Sequence, residues 1–373
     1  MRVAFLSFDF GEYSVRLASA LANHSSVLLL LPEGLADPFL ADLDERVTYQ
    51  TFPRARFRQP LSQMRRNRWL IRRICSFGAD LLHLQQGSMW FNVSLQFEHR
   101  FPVVLTVHDP RPHIGDKLSS KTPYFFWKLG FGRADQIIAH NRYVKDILQY
   151  QLGVPVQSLH VIPHLQLGQG GSIVASVRDD NHTILFFGRI WPYKGLEYLI
   201  RAEPWISQQI PGVKIVIAGE GEHFERYRQM MAHPERFVVL NRHIPEEEAS
   251  RLFQEASLVV LPYIESSQSG VIPIAYTYRK PVIATAVGGL PEMVDEGVTG
   301  LLVPPRDERK LAEAIVMVLR DDVLRFKMGQ AGKRKIECEC APAVVAQDTL
   351  NVYRMACLAR QGSVTRASAQ EIV

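Results

Sequence analysis

The sequence predicts an α/β protein built from two doubly wound domains, and its length, its composition and its alternation of patterns support this. At 373 residues the chain is longer than one hydrophobic core usually serves. Its 47% hydrophobic and 22% charged residues are ordinary for a globular protein. Apolar runs of strand length alternate with helical patterns in both halves, and this order requires parallel sheets. We expect domains over residues 1–170 and 171–345, followed by a C-terminal segment over 346–373.

The N-terminal half begins with a strand pattern. Residues 2–7 form a short apolar run that lacks the small-residue cleavage site of a signal peptide, so they predict a strand. No Gly-x-Gly-x-x-Gly motif follows it, which argues against a nicotinamide-dependent dehydrogenase. A helical pattern covers 14–22, and further strands are predicted at 27–31, 47–52, 81–84, 103–107, 136–139 and 160–162.

The C-terminal half alternates more regularly. Its first strand pattern, 184–187, has four consecutive apolar residues and stops at Gly188, as is typical of a strand buried on both faces. Glu246, Glu247 and Glu248 begin a helix, where acidic residues complement the helix dipole. Other strands are predicted at 213–218, 237–240, 257–261, 280–285 and 300–304, and other helices at 274–278, 288–292, 307–320, 323–334 and 343–358, with a frayed end from Val364.

Two cations follow the strand at 184–187. Arg189 and Lys194 lie just beyond its carboxyl end, where open α/β sheets bind their ligands. A diphosphate concentrates negative charge and offers planar oxygens to a guanidinium, so these residues indicate a diphosphate site. The alternative is a pair of surface charges beside a turn. A polar loop, 263–273, also enters a helix, and such loops offer amides and hydroxyls to anions.

These segments, taken in order, resemble the nucleotide-binding half of the retaining glycosyltransferases of family 4, which have the GT-B fold. That fold consists of two Rossmann-like doubly wound domains facing a central cleft, with an acceptor-binding first domain, a nucleotide-sugar-binding second domain and a last helix that crosses back to the first. The motifs that carry the resemblance are Phe187-Gly188-Arg189 with Lys194-Gly195, Ala218-Gly219-Glu220-Gly221, Pro245-Glu246-Glu247-Glu248, Ser267-Gln268-Ser269-Gly270, Lys280-Pro281-Val282-Ile283-Ala284-Thr285 and Gly288-Gly289-Leu290-Pro291-Glu292.

The resemblance implies roles for individual residues. Arg189 and Lys194 would hold the donor diphosphate and stabilise the leaving group, and the backbone from Ser269 to Val271 would bind the distal phosphate. Arg242, His243 and Ile244 would line the base pocket. Many members carry two glutamates seven residues apart; here Ser266 and Ile274 take those places, and Glu265, one residue early, could stand in for the first. The implied donor-binding set is Gly11, Gly188, Arg242, His243, Ile244, Glu265, Ser267, Gln268, Ser269, Gly270 and Val271.

In the N-terminal half the resemblance points to His108. It follows an apolar strand directly, so its side chain is expected to face the cleft, and a His in this Val-His-Asp setting contacts the donor sugar in the family. The alternative is a satisfied polar residue at a strand end. Gly11 would border the phosphates, with a simple turn glycine as the alternative. Asp109 would orient His108 or cap the next turn, and His83, Gln85, Gln86, Asn141 and Arg142 are acceptor-side candidates.

Excess positive charge is confined to one segment. Between Arg46 and Ala79 there are nine arginines and no acidic residue, whereas the whole chain has a net charge of +5. Aromatic and aliphatic residues interleave with the arginines from Arg54 to Arg73, which favours adsorption to an anionic membrane surface. The alternative is a solvated arginine face. No recognition motif accompanies the charge, so we expect no nucleic-acid partner.

The four cysteines, Cys75, Cys338, Cys340 and Cys357, match no metal or redox spacing, so we predict free thiols, no structural metal and no cofactor. No run of about 18 apolar residues occurs, so we expect a cytoplasmic protein, peripheral on a membrane at most. Together with the resemblance this predicts a metal-independent retaining glycosyltransferase that uses a nucleotide sugar and a glycan or lipid-linked acceptor, in glycan, exopolysaccharide or glycolipid synthesis. Two alternatives stay open: a catalytically degenerate partner subunit and a sugar-nucleotide 2-epimerase.

Overall fold

A computed structural model of the protein describes residues 1–55, 58–113, 124–168, 182–221 and 223–370, without the side chains of Tyr124 and of 361–370. The described residues divide into two compact units. The first lies within Met1–Arg111, Leu118–Leu165 and Ala341–Val373, and the second within Pro112–Lys117 and Gln166–Cys340. The unit boundaries at 165 and 340 lie a few residues before those expected from the sequence.

The first unit contains a parallel sheet of seven strands in the order β3-β2-β1-β4-β5-β6-β7. Its apolar strands are buried along almost their whole length because helices cover the sheet. The strands are β1 Arg2–Ser7, β2 Ser26–Pro32, β3 Thr48–Phe52, β4 Leu81–Gln85, β5 Val103–Val107, β6 Gln136–Ala139 and β7 Leu159–Val161, and the helices between them are α1 Gly11–Leu21, α2 Pro60–Phe77, α3 Met89–Leu95, α4 Tyr124–Arg133 and α5 Arg142–Asp146.

The second unit contains a parallel sheet of six strands in the order β10-β9-β8-β11-β12-β13. The order reverses beside β8, and ligands bind at such a switch point in doubly wound sheets. The strands are β8 Thr183–Phe187, β9 Lys214–Ala218, β10 Phe237–Leu240, β11 Leu258–Leu261, β12 Val282–Thr285 and β13 Gly300–Val303, and the helices are α6 Leu196–Gln209, α7 Glu225–Arg228, α8 Glu246–Glu255, α9 Val271–Thr277, α10 Leu290–Met293, α11 Glu308–Arg320 and α12 Asp322–Glu339.

The last helix, α13, spans Pro342–Gln370 and belongs to the first unit, where it packs on α1, β5 and β6. It is longer than the sequence pattern indicates. The helix continues through 364–370, and the fraying expected there stays a prediction. Residues 371–373 of the expected frayed end lie outside the described residues. Along the described chain no helix is long and apolar enough to cross a membrane.

Candidate functional site

Two glycines shape the loops at the carboxyl ends of β8 and β9 in the second unit. Gly188 and Gly219 have φ angles of 111° and 145°, which only glycine adopts readily. A Cβ on Gly219 would also overlap the carbonyl oxygen of Gly188. The two loops are further joined because the Gly188 amide donates to the Ala218 carbonyl, 2.9 Å away. These contacts fix the backbone immediately before Arg189.

The two predicted cations lie against aromatic rings. The Cζ of Arg189 is 4.1 Å from the centre of the Trp191 ring, and the side chain is exposed. The Nζ of Lys194 is 3.8 Å from the centre of the Tyr263 ring and 5.0 Å from that of Tyr193. Ring faces attract cations and limit their motion, so aromatic contacts hold both charges in place.

Lys194 keeps its charge in this setting. Burial lowers the pKa of its ammonium group, but the contacts with Tyr263 and Tyr193 raise it by more, so the pKa lies above its ordinary value. The raising causes are the electrostatic interactions with Tyr263 and Tyr193 and a side-chain hydrogen bond to Tyr263. Lys194 is therefore protonated at neutral pH and attracts anions rather than accepting protons.

Tyr263 connects Lys194 with the predicted phosphate loop. Its hydroxyl lies 3.4 Å from the Ser269 Oγ, which in turn accepts a bond from the Val271 amide at 3.3 Å. Helix α9 begins at Val271, three residues earlier than predicted, with Gly270 at its N-cap position. Ser267 and Ser269 are buried, whereas Gln268 and Gly270 are partly exposed. The loop is thus ordered around the same tyrosine that holds the lysine.

Glu265 has a partner that the sequence analysis missed. The Nδ1 of His113 lies 2.9 Å from Glu265 Oε1, and the His113 ring stacks on Tyr193 with 4.7 Å between ring centres. His113 belongs to the second unit although it precedes β8 by some seventy residues. The Pro-x-Pro-His sequence at 110–113 carries no periodic signal, so only the fold reveals that His113 reaches this group.

The residues predicted to line a base pocket follow β10. Arg242 forms two bonds of 2.7 Å with the carboxylate of Glu248 in the first turn of α8. This pairing raises the pKa of Arg242 and lowers that of Glu248. His243 is exposed, and Ile244 is partly buried against the core. The bidentate pair with Glu248 therefore fixes the position of the exposed Arg242 side chain.

In the first unit, His108 follows β5 and is 1% exposed. Its ring stacks on Phe10 with centres 3.8 Å apart, and its Nε2 lies 2.6 Å from Gln85 Oε1. Gln86 accepts a bond from the His108 amide at 2.7 Å and donates to the Asp109 carbonyl at 2.9 Å. Gln85, rather than the expected Asp109, holds the imidazole through this bond, and burial holds the pKa of His108 well below its ordinary value.

His83, predicted on the acceptor side, lies in the interior of the first unit. His83 is fully buried in β4, with Nδ1 2.6 Å from the hydroxyl of Tyr353 and Nε2 2.7 Å from Thr106 Oγ1. Burial lowers the pKa of His83 to about 3, so the ring is neutral. Tyr353 comes from α13, so this helix supplies the hydrogen-bond partner of His83. Gln85, also fully buried, supports His108 instead of lining a pocket.

The remaining first-unit candidates have structural roles. Asn141 is buried and caps α5, where its side chain accepts a bond of 2.8 Å from the Val144 amide. Arg142 is exposed at the first position of α5. Gly11 is the first residue of α1, and a Cβ there would overlap the carbonyl oxygen of Leu35, so this position requires glycine for packing. That packing supports the turn-glycine alternative.

The grouping of His108 with two further histidines was not predicted. His108, His140 and His164 follow the neighbouring strands β5, β6 and β7, are all buried, and offer one ring nitrogen each within 4.8 Å of the others. The signal was present in the sequence, since each of three apolar strands is followed within three residues by histidine. It was not used because no two of these histidines are close along the chain.

Two protein-family descriptions match complementary parts of the chain. "Glycosyltransferase Family 4" matches residues 11–165, and "Glycosyl transferases group 1" matches residues 181–321. A curated relative, the D-inositol 3-phosphate glycosyltransferase of Kribbella flavida, is 32% identical over 194 residues, which are 48% of this chain and 45% of that protein. The chain spans about half the length of the curated relatives it matches.

Solved structures match over nearly the whole chain. Sucrose-phosphate synthase from Thermosynechococcus elongatus gives a TM-score of 0.76 at 20% identity and covers 96% of this chain and 100% of its own. Anabaena HepE, solved in complex with UDP-glucose, gives 0.73 at 19% identity and covers 95% and 100%. With the two parallel sheets described above, this likeness confirms the predicted GT-B fold.

Proposed function

The chain belongs to the family 4 glycosyltransferases, and we propose that it transfers a sugar from a nucleotide diphosphate donor to an acceptor hydroxyl with retention of configuration. One observation carries the proposal: Arg189 and the protonated Lys194 lie on ordered aromatic rings at the carboxyl edge of the second sheet, next to a serine loop. Two cations held on aromatic rings suit a diphosphate better than any neutral ligand.

These cations would act on the transition state. Negative charge grows on the diphosphate as its bond to the sugar breaks, and preorganised cations stabilise that charge more than they stabilise the bound donor. The acceptor hydroxyl would attack on the face that the diphosphate leaves, through an oxocarbenium-like state. A diphosphate oxygen would then take the acceptor proton.

We propose that the transfer needs no divalent metal at the diphosphate. An Asp-x-Asp pair, which holds such an ion in other sugar transferases, occurs at Asp42 and Asp44 in the first unit. Asp42 pairs with Arg16 at 3.3 Å and Asp44 with Arg46 at 2.6 Å. The Arg46 guanidinium lowers the pKa of Asp44 to about 2. Both carboxylates are therefore committed to arginines rather than to a metal.

A thermal-shift and turnover experiment tests this function. UDP and UDP-glucose come first because UDP-glucose was bound in the Anabaena neighbour, followed by the GDP, ADP and TDP analogues, each with and without Mg²⁺. A ligand that binds the native state raises the melting temperature. At a ligand concentration of 100 times Kd, the free energy of unfolding increases by about 2.7 kcal/mol. We expect one base to stabilise the protein without Mg²⁺ and its sugar nucleotide to be hydrolysed slowly. No shift with any nucleotide would contradict the proposal, and a shift without hydrolysis would favour the partner-subunit alternative.

We also propose that the acceptor is presented at an anionic membrane surface. The outer face of α2 carries Arg65, Arg68 and Arg72, interleaved with three exposed apolar side chains and no acidic residue. Leu61 is 70% exposed, Met64 48% and Trp69 42%. Cations contribute on the order of 1 kcal/mol each near an anionic surface, and the apolar residues insert at the headgroup level.

Not every arginine of this segment belongs to that face. Arg66 turns inward over the rings of Phe8 and Phe52, at 5.0 and 5.9 Å, and burial lowers its pKa to about 10. Arg73 donates to Gln50 Oε1 at 2.5 Å. Arg56 and Phe57 lie outside the described residues. Arg66 and Arg73 therefore do not belong to a solvated arginine face.

Vesicle flotation tests the membrane proposal. The triple variant Arg65→Gln, Arg68→Gln, Arg72→Gln should lose binding to phosphatidylglycerol vesicles, whereas a matched triple variant of exposed cations elsewhere, Arg251→Gln, Arg309→Gln, Lys310→Gln, should keep it. Equal flotation of both variants, or of the wild type on neutral and anionic vesicles alike, would remove the electrostatic part of the proposal.

A further inference from the structure

The three buried histidines of the first unit share a topological position. His108, His140 and His164 follow β5, β6 and β7, which are hydrogen-bonded neighbours in one parallel sheet. Their ring centres lie 4.7 to 5.9 Å apart, and Tyr13 of α1 packs against all three rings. One helix and three adjacent strand ends therefore hold the rings in a fixed arrangement.

Hydrogen bonds to oxygen atoms define which nitrogen of each ring carries the proton. His140 Nδ1 donates to the Ile162 carbonyl at 3.0 Å, and His164 Nδ1 donates to the Leu165 carbonyl at 2.8 Å. His108 Nε2 donates to the amide oxygen of Gln85 at 2.6 Å. Because a carbonyl oxygen only accepts, each opposite ring nitrogen has a lone pair.

This is the arrangement of metal-binding imidazoles. A ligating histidine commonly donates its other N–H to a backbone carbonyl or an amide, which fixes the ring and leaves the second nitrogen for the ion. The Nε2 of His140 is buried and makes no hydrogen bond within the described part of the chain. A buried acceptor in that state costs free energy unless a cation, a proton or a water approaches it.

The three rings are buried, and the hydrogen bonds to oxygen leave each ring a nitrogen lone pair, which metal coordination requires. Three nitrogen ligands suit zinc and its transition-metal neighbours, and they do not suit Mg²⁺ or Ca²⁺, which prefer oxygen.

We propose that His108, His140 and His164 form a Zn²⁺ site in the first unit, with a fourth position for an oxygen ligand. One nitrogen of each histidine lies within 4.8 Å of the other two. On binding, the three nitrogens would move closer together around a tetrahedral ion, with Zn–N bonds of about 2.0–2.1 Å. The inference does not rest on the transferase activity.

Metal titration of the full chain tests the site. Protein treated with a chelator and dialysed is titrated with Zn²⁺ and, separately, with Co²⁺, whose absorption bands report tetrahedral coordination. We expect about one ion per chain, a melting temperature raised by Zn²⁺ and tetrahedral Co²⁺ bands that Zn²⁺ removes. A wild-type chain without Co²⁺ bands and without a zinc-dependent shift would overturn the proposal.

Variants separate this site from adventitious binding. His164→Gln and His140→Gln should each weaken Zn²⁺ by more than about 100-fold, because the loss of an outer-shell partner alone costs roughly 10–100-fold. The matched control is His160→Gln, a half-buried histidine of β7 bonded to Gln136 outside the cluster, which should bind as the wild type does. Circular dichroism in chelator confirms folding, and if one variant fails to fold the other decides. Folded variants that bind Zn²⁺ as tightly as the control would contradict the site.

Discussion

The two units place polar residues at the same point of their sheets and treat them in opposite ways. In the second unit, Arg189 and Lys194 extend from loops after β8 and rest on ring faces. In the first unit, Gln85 and His108 occupy the ends of β4 and β5, are buried, and bond to each other. A polar residue after an apolar strand therefore marks either a ligand site or an internal network. Aromatic neighbours that keep a cation at the surface distinguish the first case.

Replacing Lys194 is the strongest way to break this comparison. Lys194→Ala removes a fixed cation from the developing charge of the leaving group, and the loss of one such group costs about 10²–10³ in kcat. The melting temperature should fall only slightly, because the partly exposed Lys194 side chain loses its cation–π contacts with Tyr193 and Tyr263, which contribute roughly 0.5–2 kcal/mol. Steady-state kinetics with the donor found by thermal shift measures the effect.

Lys214→Ala is the matched control, since Lys214 is exposed at the opposite end of the sheet, at the start of β9. Its kcat should equal that of the wild type. Similar rates for the two variants would remove the diphosphate role of Lys194.

Gly219→Ala should give the next largest effect, on stability. Its φ of 145° is disfavoured for alanine, and the added Cβ would overlap the Gly188 carbonyl. Strain of this kind costs about 1–3 kcal/mol, and the overlap adds to it. Gly297→Ala is the control: its φ is 73° but no atom lies near, so the cost should be smaller. Urea unfolding measures both; equal losses would show that the Gly188 contact is unimportant.

Tyr353→Phe sharpens the first-unit side of the comparison. It leaves the buried Nδ1 of His83 without its bond from α13, at a cost of about 1–3 kcal/mol. Tyr278→Phe, which removes a half-buried bond to Ser250, should cost less because water can reach the site. The KM for the acceptor should not change in Tyr353→Phe. A large change in KM with little change in the unfolding free energy would return His83 to the acceptor pocket.

Arg242→Gln should have the smallest effect. Its pair with Glu248 is exposed, and exposed pairs contribute little to stability, so the melting temperature should be unchanged. If the loop after β10 binds the base, the KM for the donor should rise several-fold while kcat is kept. Arg251→Gln, on α8 and paired with Glu255, is the control. An unchanged KM would remove Arg242 from the base pocket.

Strand positions were predictable because buried parallel strands are continuous apolar runs. The predictions at 2–7, 103–107, 136–139 and 237–240 match β1, β5, β6 and β10 residue for residue. Side-chain surroundings were less predictable, because they depend on segments far along the chain. His83 is enclosed by Tyr353, 270 residues away, and Glu265 meets His113 across 152 residues. No local pattern contains either contact, so the motif gave the position of Glu265 but not its partner.

Helix α13 also bears on the order in which the protein is made. The ribosome releases the whole second unit before α13 emerges, yet α13 supplies Tyr353 to the interior of the first unit. The second unit can thus complete its fold during synthesis. The surface of the first unit that packs on α13 stays exposed until α13 folds onto it. The His83 to Tyr353 bond closes a loop that contains nearly three quarters of the chain, so it is among the slowest contacts to form. We therefore expect the protein to be most prone to aggregation after the first unit has been made and before α13 has folded onto it.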